Sequence, residues 1–197
     1  MISVEFKLAY TAFVAVVLVL WLKHYGWRNL LWFSDIALIG AVPALWLESA
    51  PMASVLAVAV LGPEVAWNVD FLLRLLTRRR VIGLTEYMFE PARPLELRLL
   101  SLFHVPLPLV ILWMLAAYGY TAAVALPGAV LLAAIVLPAS RVFGSPEANI
   151  NWSYGPARVQ TRLAPIAYVA LLFAGFVLVV FTPTHLLLLR WFATSPG

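Results

Sequence analysis

Apolar runs of membrane-crossing length recur along this 197-residue chain, and no other feature restricts its fold so severely. A helix needs about 20 mostly apolar residues to cross the hydrocarbon core of a bilayer. Six runs qualify, at about Leu8–Lys23, Leu30–Leu47, Met52–Leu76, Leu97–Tyr118, Thr121–Phe143 and Leu163–Phe181. None alternates apolar and polar residues with period two, so the spans read as helices and not as membrane strands. Composition agrees: 64% of the chain is apolar and 11% charged, against roughly 45–50% and about 25% in a soluble domain. The sequence therefore predicts a single all-α integral membrane domain of six transmembrane helices. The run from Leu8 to Leu22 ends in Trp-Leu-Lys-His, with no small-residue cleavage site, and reads as a retained first span. The tail from Thr184 to Phe192 is too short to cross again and is expected along the interface.

Charge sets the expected orientation. The net charge of +4 is no sign of nucleic acid, because the basic residues fall in the loops where a membrane protein needs them. Lys23, Arg28, Arg74, Arg78, Arg79, Arg80, Arg93, Arg98, Arg141, Arg158 and Arg162 fall on one side of the spans. Only Lys7 and Arg190 fall on the other. Basic loops stay in the cytoplasm, which predicts both termini outside. The connections on the outer side, around Glu48–Pro51 and Gly119–Tyr120, are minimal. The cytoplasmic loops Thr77–Glu96 and Gly144–Arg162 are far longer than a simple connection requires.

Ionisable groups inside a span cost at least ~2.5–3.5 kcal/mol each and ask for a reason. Asp35 lies about one turn into span two. Glu64 lies near the middle of span three, with Trp67, Asn68 and Asp70 nearer the cytoplasm, and His104 lies two turns into span four. Glu64, Trp67, Asn68 and Phe71 share one stripe. Asp70 stands four residues before Arg74 and can pair with it. No basic neighbour reaches Glu64 along its helix, which leaves protonation, a bond to another helix, or a polar cavity. Pro108 cannot donate to the carbonyl of His104, so a free carbonyl is expected beside that imidazole. Asp35 can be a site residue, or merely a partner for a loop arginine such as Arg28.

Each loop carries a polar motif with a bland alternative. Arg78, Arg79 and Arg80 suit anionic headgroups, worth about 1 kcal/mol each near the surface. Leu84 to Pro91 is expected to form a short interfacial helix, with Glu86 and Glu90 on one face beside Tyr87. Asn149, Asn151 and Trp152 offer hydrogen bonds and stacking surface, or simply cap their own turn. Cysteine is absent, which excludes disulfides, thiol nucleophiles, iron–sulfur clusters and Cys-bound zinc. There is no phosphate-binding Gly-rich loop, HExxH or GxSxG signature, and the residues name no cofactor and no metal.

The strings Trp32-Phe33-Ser34-Asp35, Glu86-Tyr87-Met88-Phe89-Glu90, Ser101-Leu102-Phe103-His104 and Asn149-Ile150-Asn151-Trp152 resemble a group of small multi-pass bacterial proteins described only as membrane-associated. The resemblance covers nearly the whole chain. It implies a bacterial inner-membrane location and transfers no activity. Three functions then fit the residues. One is binding or modifying a lipidic substrate at the cytoplasmic side. In it His104 is general acid or base, Asp35 or Asp70 orients it, and Asn149, Asn151, Trp152, Glu86, Tyr87 and Glu90 hold the headgroup. A second is proton-coupled transport of a small solute through Glu64. The third is an accessory subunit, so the expected partners are membrane lipids and a homo-oligomer or a larger membrane complex.

Overall fold

In the computed structural model, which describes residues 1–156 and 158–192, every regular element is helical. Helix α1 spans Val4–His24, capped by the Ser3 hydroxyl, which accepts the Phe6 amide at 3.3 Å. Gly26, at φ 75°, then turns the chain into a short 3-10 segment, Trp27–Leu31. Helix α2 follows at Phe33–Trp46, and α3 runs from Ala50 to Thr77 behind a Ser49 cap. Two prolines break the next span. Pro106 and Pro108 withhold the amides that Leu102 and His104 would need, and the chain tightens into a 3-10 turn at Ser101–His104 between α4 (Leu95–Leu100) and α5 (Pro106–Tyr118). Helix α6 is Ala122–Phe143. The last helical rod comprises α7 (Pro165–Gly175), a π-helical turn at Phe176–Phe181 and α8 (Thr182–Phe192).

Five of these rods are long and apolar enough to cross a membrane: Val4–His24, Ala50–Thr77, Leu95–Tyr118, Ala122–Phe143 and Pro165–Phe192. The second expected span is shorter than its sequence suggests. Helix α2 has 14 residues, below the roughly 20 a full crossing takes, because Trp27–Leu31 winds as a separate 3-10 turn. The tail also departs from expectation. Thr184–Phe192 does not leave the last rod for the interface but continues it. The wide π-helical turn before Pro183 accommodates its missing N–H, and the Thr182 hydroxyl donates to Val177 O at 2.8 Å.

Small residues let the helices approach. Helix α3 is the centre, packed on α2, α5 and α6. Its Ala53, Ala57 and Ala59 are fully buried, as are Ala37, Ala41 and Ala44 of α2 and Ala125, Ala129 and Ala133 of α6. A Cβ on Gly128 of α6 would collide with the Val55 side chain of α3. Without water between helices to expel, this close contact is what favours association in lipid. Leu38, Leu45, Ile111, Met114, Leu137 and Phe181 fill the spaces that remain. Outside, Leu131, Ile135, Val142, Leu171, Leu178 and Val179 are mostly exposed, a surface suited to acyl chains and not to water.

The two ends of the bundle differ. At one, Leu47–Ser49 and Gly119–Thr121 join helices by tight turns; at the other lie the segments 78–94 and 144–164, each wound around a short 3-10 turn, Glu86–Phe89 or Ile150–Trp152. The first is the short-turn end of the bundle and the second its loop end.

Candidate functional site

A cleft of about 520 Å³ opens at the loop end. The first turn of α2 places Asp35 in its wall, 3% exposed, where Trp21 Nε1 and Asn29 Nδ2 each donate to the carboxylate at 3.0 Å. Both donors are neutral. Their hydrogen bonds and the N-terminal end of α2 are the only stabilisation that this carboxylate has among the described residues.

Glu64 of α3 and His104, from the proline-broken span, meet deeper in. Nδ1 of His104 lies 2.9 and 3.1 Å from the two carboxylate oxygens of Glu64. The Glu64 side chain is 2% exposed and that of His104 12%. The imidazole is held between two rings: Trp67 stacks on it at 4.4 Å between centroids and Phe103 at 4.2 Å. Both faces and one edge are thus occupied. Nε2, on the edge that remains, makes no hydrogen bond among the described residues and is not sealed from the cleft. A carboxylate that fixes one ring nitrogen in this way selects the tautomer and leaves the other nitrogen to act as acid or base.

Asn68, one turn below Glu64, completes the unit. Its Nδ2 donates to Glu64 O and to His104 O, both at 2.8 Å. The His104 carbonyl that Pro108 leaves free is thereby satisfied by the neighbouring helix. The same contact pins the 3-10 turn against α3.

Asp70 does other work. Its carboxylate accepts the amides of Ile82, Gly83 and Thr85 and the Thr85 hydroxyl, at 2.8–3.2 Å. It thus folds the start of the first long loop, where Gly83 adopts φ 93°. Arg74, the expected partner, instead donates to Arg78 O and lies over the Phe89 ring. Glu86 and Glu90 do not share a face as a pair. The segment is a four-residue 3-10 turn and not the expected interfacial helix; Glu86 meets Arg80 at 3.1 Å and Glu90 meets Arg93 at 3.5 Å. Arg78, Arg79 and Arg80 are all exposed, and Arg80 also lines the cleft. Tyr87 lies beneath these ion pairs, its hydroxyl accepting from Trp67 Nε1 at 3.2 Å, and burial pushes its phenol above the usual range.

The second loop braces the opposite wall. Asn149 uses both ends of its amide on its own loop: Oδ1 accepts from Tyr154 N and Nδ2 donates to Gly155 O. Asn151 is 5% exposed and ties the loop to the bundle. Its Nδ2 donates to Leu31 O at 2.7 Å and Ser140 Oγ at 3.0 Å, and its Oδ1 accepts the Phe33 amide at 3.2 Å. Trp152, directly after Asn151, has a left-handed backbone, φ 59°, and lines the cleft with Asn149. A bulky residue in that region is strained and is held by its surroundings; the Tyr168 hydroxyl donates to its carbonyl at 2.9 Å.

Of the residues singled out from sequence, Asp35, Glu86, Tyr87, Glu90, His104, Asn149 and Trp152 line one cleft, and Glu64 stands behind His104. Asp70 and Asn151 hold its walls from outside. Neither Asp35 nor Asp70 is bonded to His104, whose carboxylate partner is Glu64. Trp21, Asn29 and Arg93 also line the cleft without having stood out in the sequence. Terminal tryptophans and loop arginines are ordinary at a membrane interface, so only the pairing of Trp21 and Asn29 with a carboxylate fourteen and six residues away distinguishes them. Comparison with protein-family models, with curated proteins and with solved structures gives no match.

Proposed function

We propose that this chain is a multi-pass inner-membrane protein of bacterial type, with six spans and both termini outside, and that it binds and modifies a lipidic substrate from the cytoplasmic leaflet. The observation that carries the reading is the Glu64–His104 pair, with Nδ1 held at 2.9 Å and Nε2 left to the cleft. In this reading His104 is the general acid or base. Nε2 takes a proton from a substrate hydroxyl or bound water, and the imidazolium so formed is stabilised by Glu64. Glu64, and not Asp35 or Asp70, is the orienting carboxylate. Asp35 is a second buried carboxylate facing the same space and serves to position a donor group of the substrate. Trp152 and Tyr87 supply stacking surface, and Arg80 and Arg93, paired with Glu86 and Glu90, present guanidinium donors at the mouth. Asp70, Asn149 and Asn151 act by shaping the loops. Arg78 and Arg79 keep the expected role of meeting anionic headgroups.

The eleven basic residues on one side of the spans support the orientation. The transport alternative would route protons through Glu64 toward the other end. There α3 buries an unbroken apolar stretch, Leu56 to Leu61, which favours a site open to one side. Complementation of a strain lacking the protein, combined with mass spectrometry of compounds that co-purify, tests the proposal. His104→Ala should fail to complement while remaining folded in the membrane, and Glu64→Gln should retain a co-purifying compound yet lose most activity. Full complementation by His104→Ala overturns the reading.

A further inference from the structure

The two buried aspartates of the loop end are bonded to different degrees. A carboxylate offers about four acceptor positions, two on each oxygen. Asp70 uses all of them: Oδ1 accepts the Ile82 and Gly83 amides, and Oδ2 accepts the Thr85 amide and hydroxyl. Asp35 uses half. Its Oδ1 accepts from Trp21 Nε1 and its Oδ2 from Asn29 Nδ2, so each oxygen keeps one acceptor position. Asp35 lines the cleft, and Asp70 does not.

The charges around the cleft do not cancel. Its two arginines are both paired, Arg80 with Glu86 at 3.1 Å and Arg93 with Glu90 at 3.5 Å. Asp35 and Glu147 also line it, and neither has a cationic partner among the described residues. Much of the remaining wall is aromatic. The Arg93 guanidinium lies over the Tyr25 and Tyr87 rings, at 5.8 and 5.2 Å, so part of this wall already holds a cation of the chain's own. Trp32 and Trp152 line the same cleft, and neither packs on another ring among the described residues.

We infer that the ligand of this cleft carries an ammonium group, with Asp35 as its counter-ion and the Trp32 and Trp152 rings as its cation-binding wall. This rests on the reading of the cleft given above and narrows its substrate class to amines, carried by a lipid headgroup or by a free alkylamine. An ammonium brings the N–H donors that Asp35 can still accept and the positive charge that this buried carboxylate lacks. Indole faces attract the same group through their quadrupole. An anionic headgroup brings neither. Within the cleft it would face Asp35, and at the mouth it would have to displace Glu86 or Glu90 from an arginine. The volume of about 520 Å³ is that of a small-molecule site.

Two measurements test this and separate the two sources of the amine. In the first, the protein is placed in nanodiscs of equal parts phosphatidylethanolamine and phosphatidylglycerol, and native mass spectrometry counts the lipids it retains. In the second, butylamine or butanol is titrated into protein in nanodiscs of phosphatidylglycerol alone, followed by tryptophan fluorescence. Retention of phosphatidylethanolamine several-fold over phosphatidylglycerol identifies an aminolipid. A saturable response to butylamine, absent with butanol and without that lipid preference, identifies a free amine. Asp35→Asn should abolish whichever signal is found. If that variant does not fold, Trp152→Leu, at an exposed position, decides the matter by weakening the signal several-fold. Equal retention of both lipids with no saturable butylamine response overturns the proposal, as does a signal that the deciding variant leaves unchanged. His104→Ala keeps the two readings apart. Amine binding with full complementation leaves the ammonium site and removes the acid–base role, whereas no amine binding with failed complementation does the reverse.

Discussion

The loop end and the short-turn end of this bundle are built from the same apolar helices, yet they treat buried polarity differently. At the loop end Asp35, Glu64, Asp70, Asn151 and Ser153 are all at most 5% exposed. Of these, Asp35 and Asp70 are met by neutral donors and Glu64 by a histidine. At the short-turn end the buried ion is Lys7, matched directly by Glu48 at 2.6 Å. A lysine and a glutamate neutralise each other, and the pair is complete as it stands. Asp35 and Asp70 accept only from neutral donors, so neither carboxylate has a bonded counter-ion. Burying charge without a counter-charge is costly, and that cost is concentrated at the end where the cleft opens.

The contrast is broken most forcefully at Glu64 and His104. His104→Ala leaves the carboxylate of Glu64 buried without its partner, a defect that typically costs about 3–5 kcal/mol. Thermal unfolding in detergent should show it, and the double substitution Glu64→Gln with His104→Ala should recover part of the loss. Losses that simply add in the double variant would mean that the two side chains do not act as a pair. Asp70→Ala ranks next. It leaves three loop amides and a hydroxyl without their acceptor, for a loss of roughly 2–3 kcal/mol. Limited proteolysis should then cut near Gly83 several times faster than in the parent protein. Asn151→Ala follows at about 1–3 kcal/mol, since it unties the second loop from Leu31, Phe33 and Ser140. Hydrogen exchange should rise at the Phe33 amide and around Trp152, while the first loop stays protected.

How much of this could be read from the sequence divides along the same line. The apolar runs announce helices because in lipid only helices and closed barrels satisfy a backbone, and no run has the alternation of a barrel strand; the structure has them, although α2 is shorter and the last rod longer than hydropathy implies. Asp35, Glu64, Asp70 and His104 could be picked out because ionisable groups inside apolar runs are rare. Their partners could not. Local spacing offers Asp70 the guanidinium of Arg74, but a nearby loop presents three amides and a hydroxyl that together fit the carboxylate better. Glu64 and His104 are forty residues apart, and only the packing of α3 against the proline-broken span brings them together.

The short-turn end supplies the smallest effects and the sharpest sign. In the Lys7–Glu48 pair the two side chains are unequally covered, 7% exposed for Lys7 and 40% for Glu48. Lys7→Met removes the buried charge and leaves a carboxylate that water can still reach, so the loss should stay within about 1 kcal/mol. Glu48→Ala leaves the covered ammonium with no counter-ion and should cost more than Lys7→Met. Neither change touches the cleft, and both variants should complement fully. Melting curves for the two single variants, set beside complementation, check the order. If Lys7→Met proved the more damaging, or if either variant failed to complement while stably folded, the short-turn end would be part of the working site, and the division between the two ends would have to be abandoned.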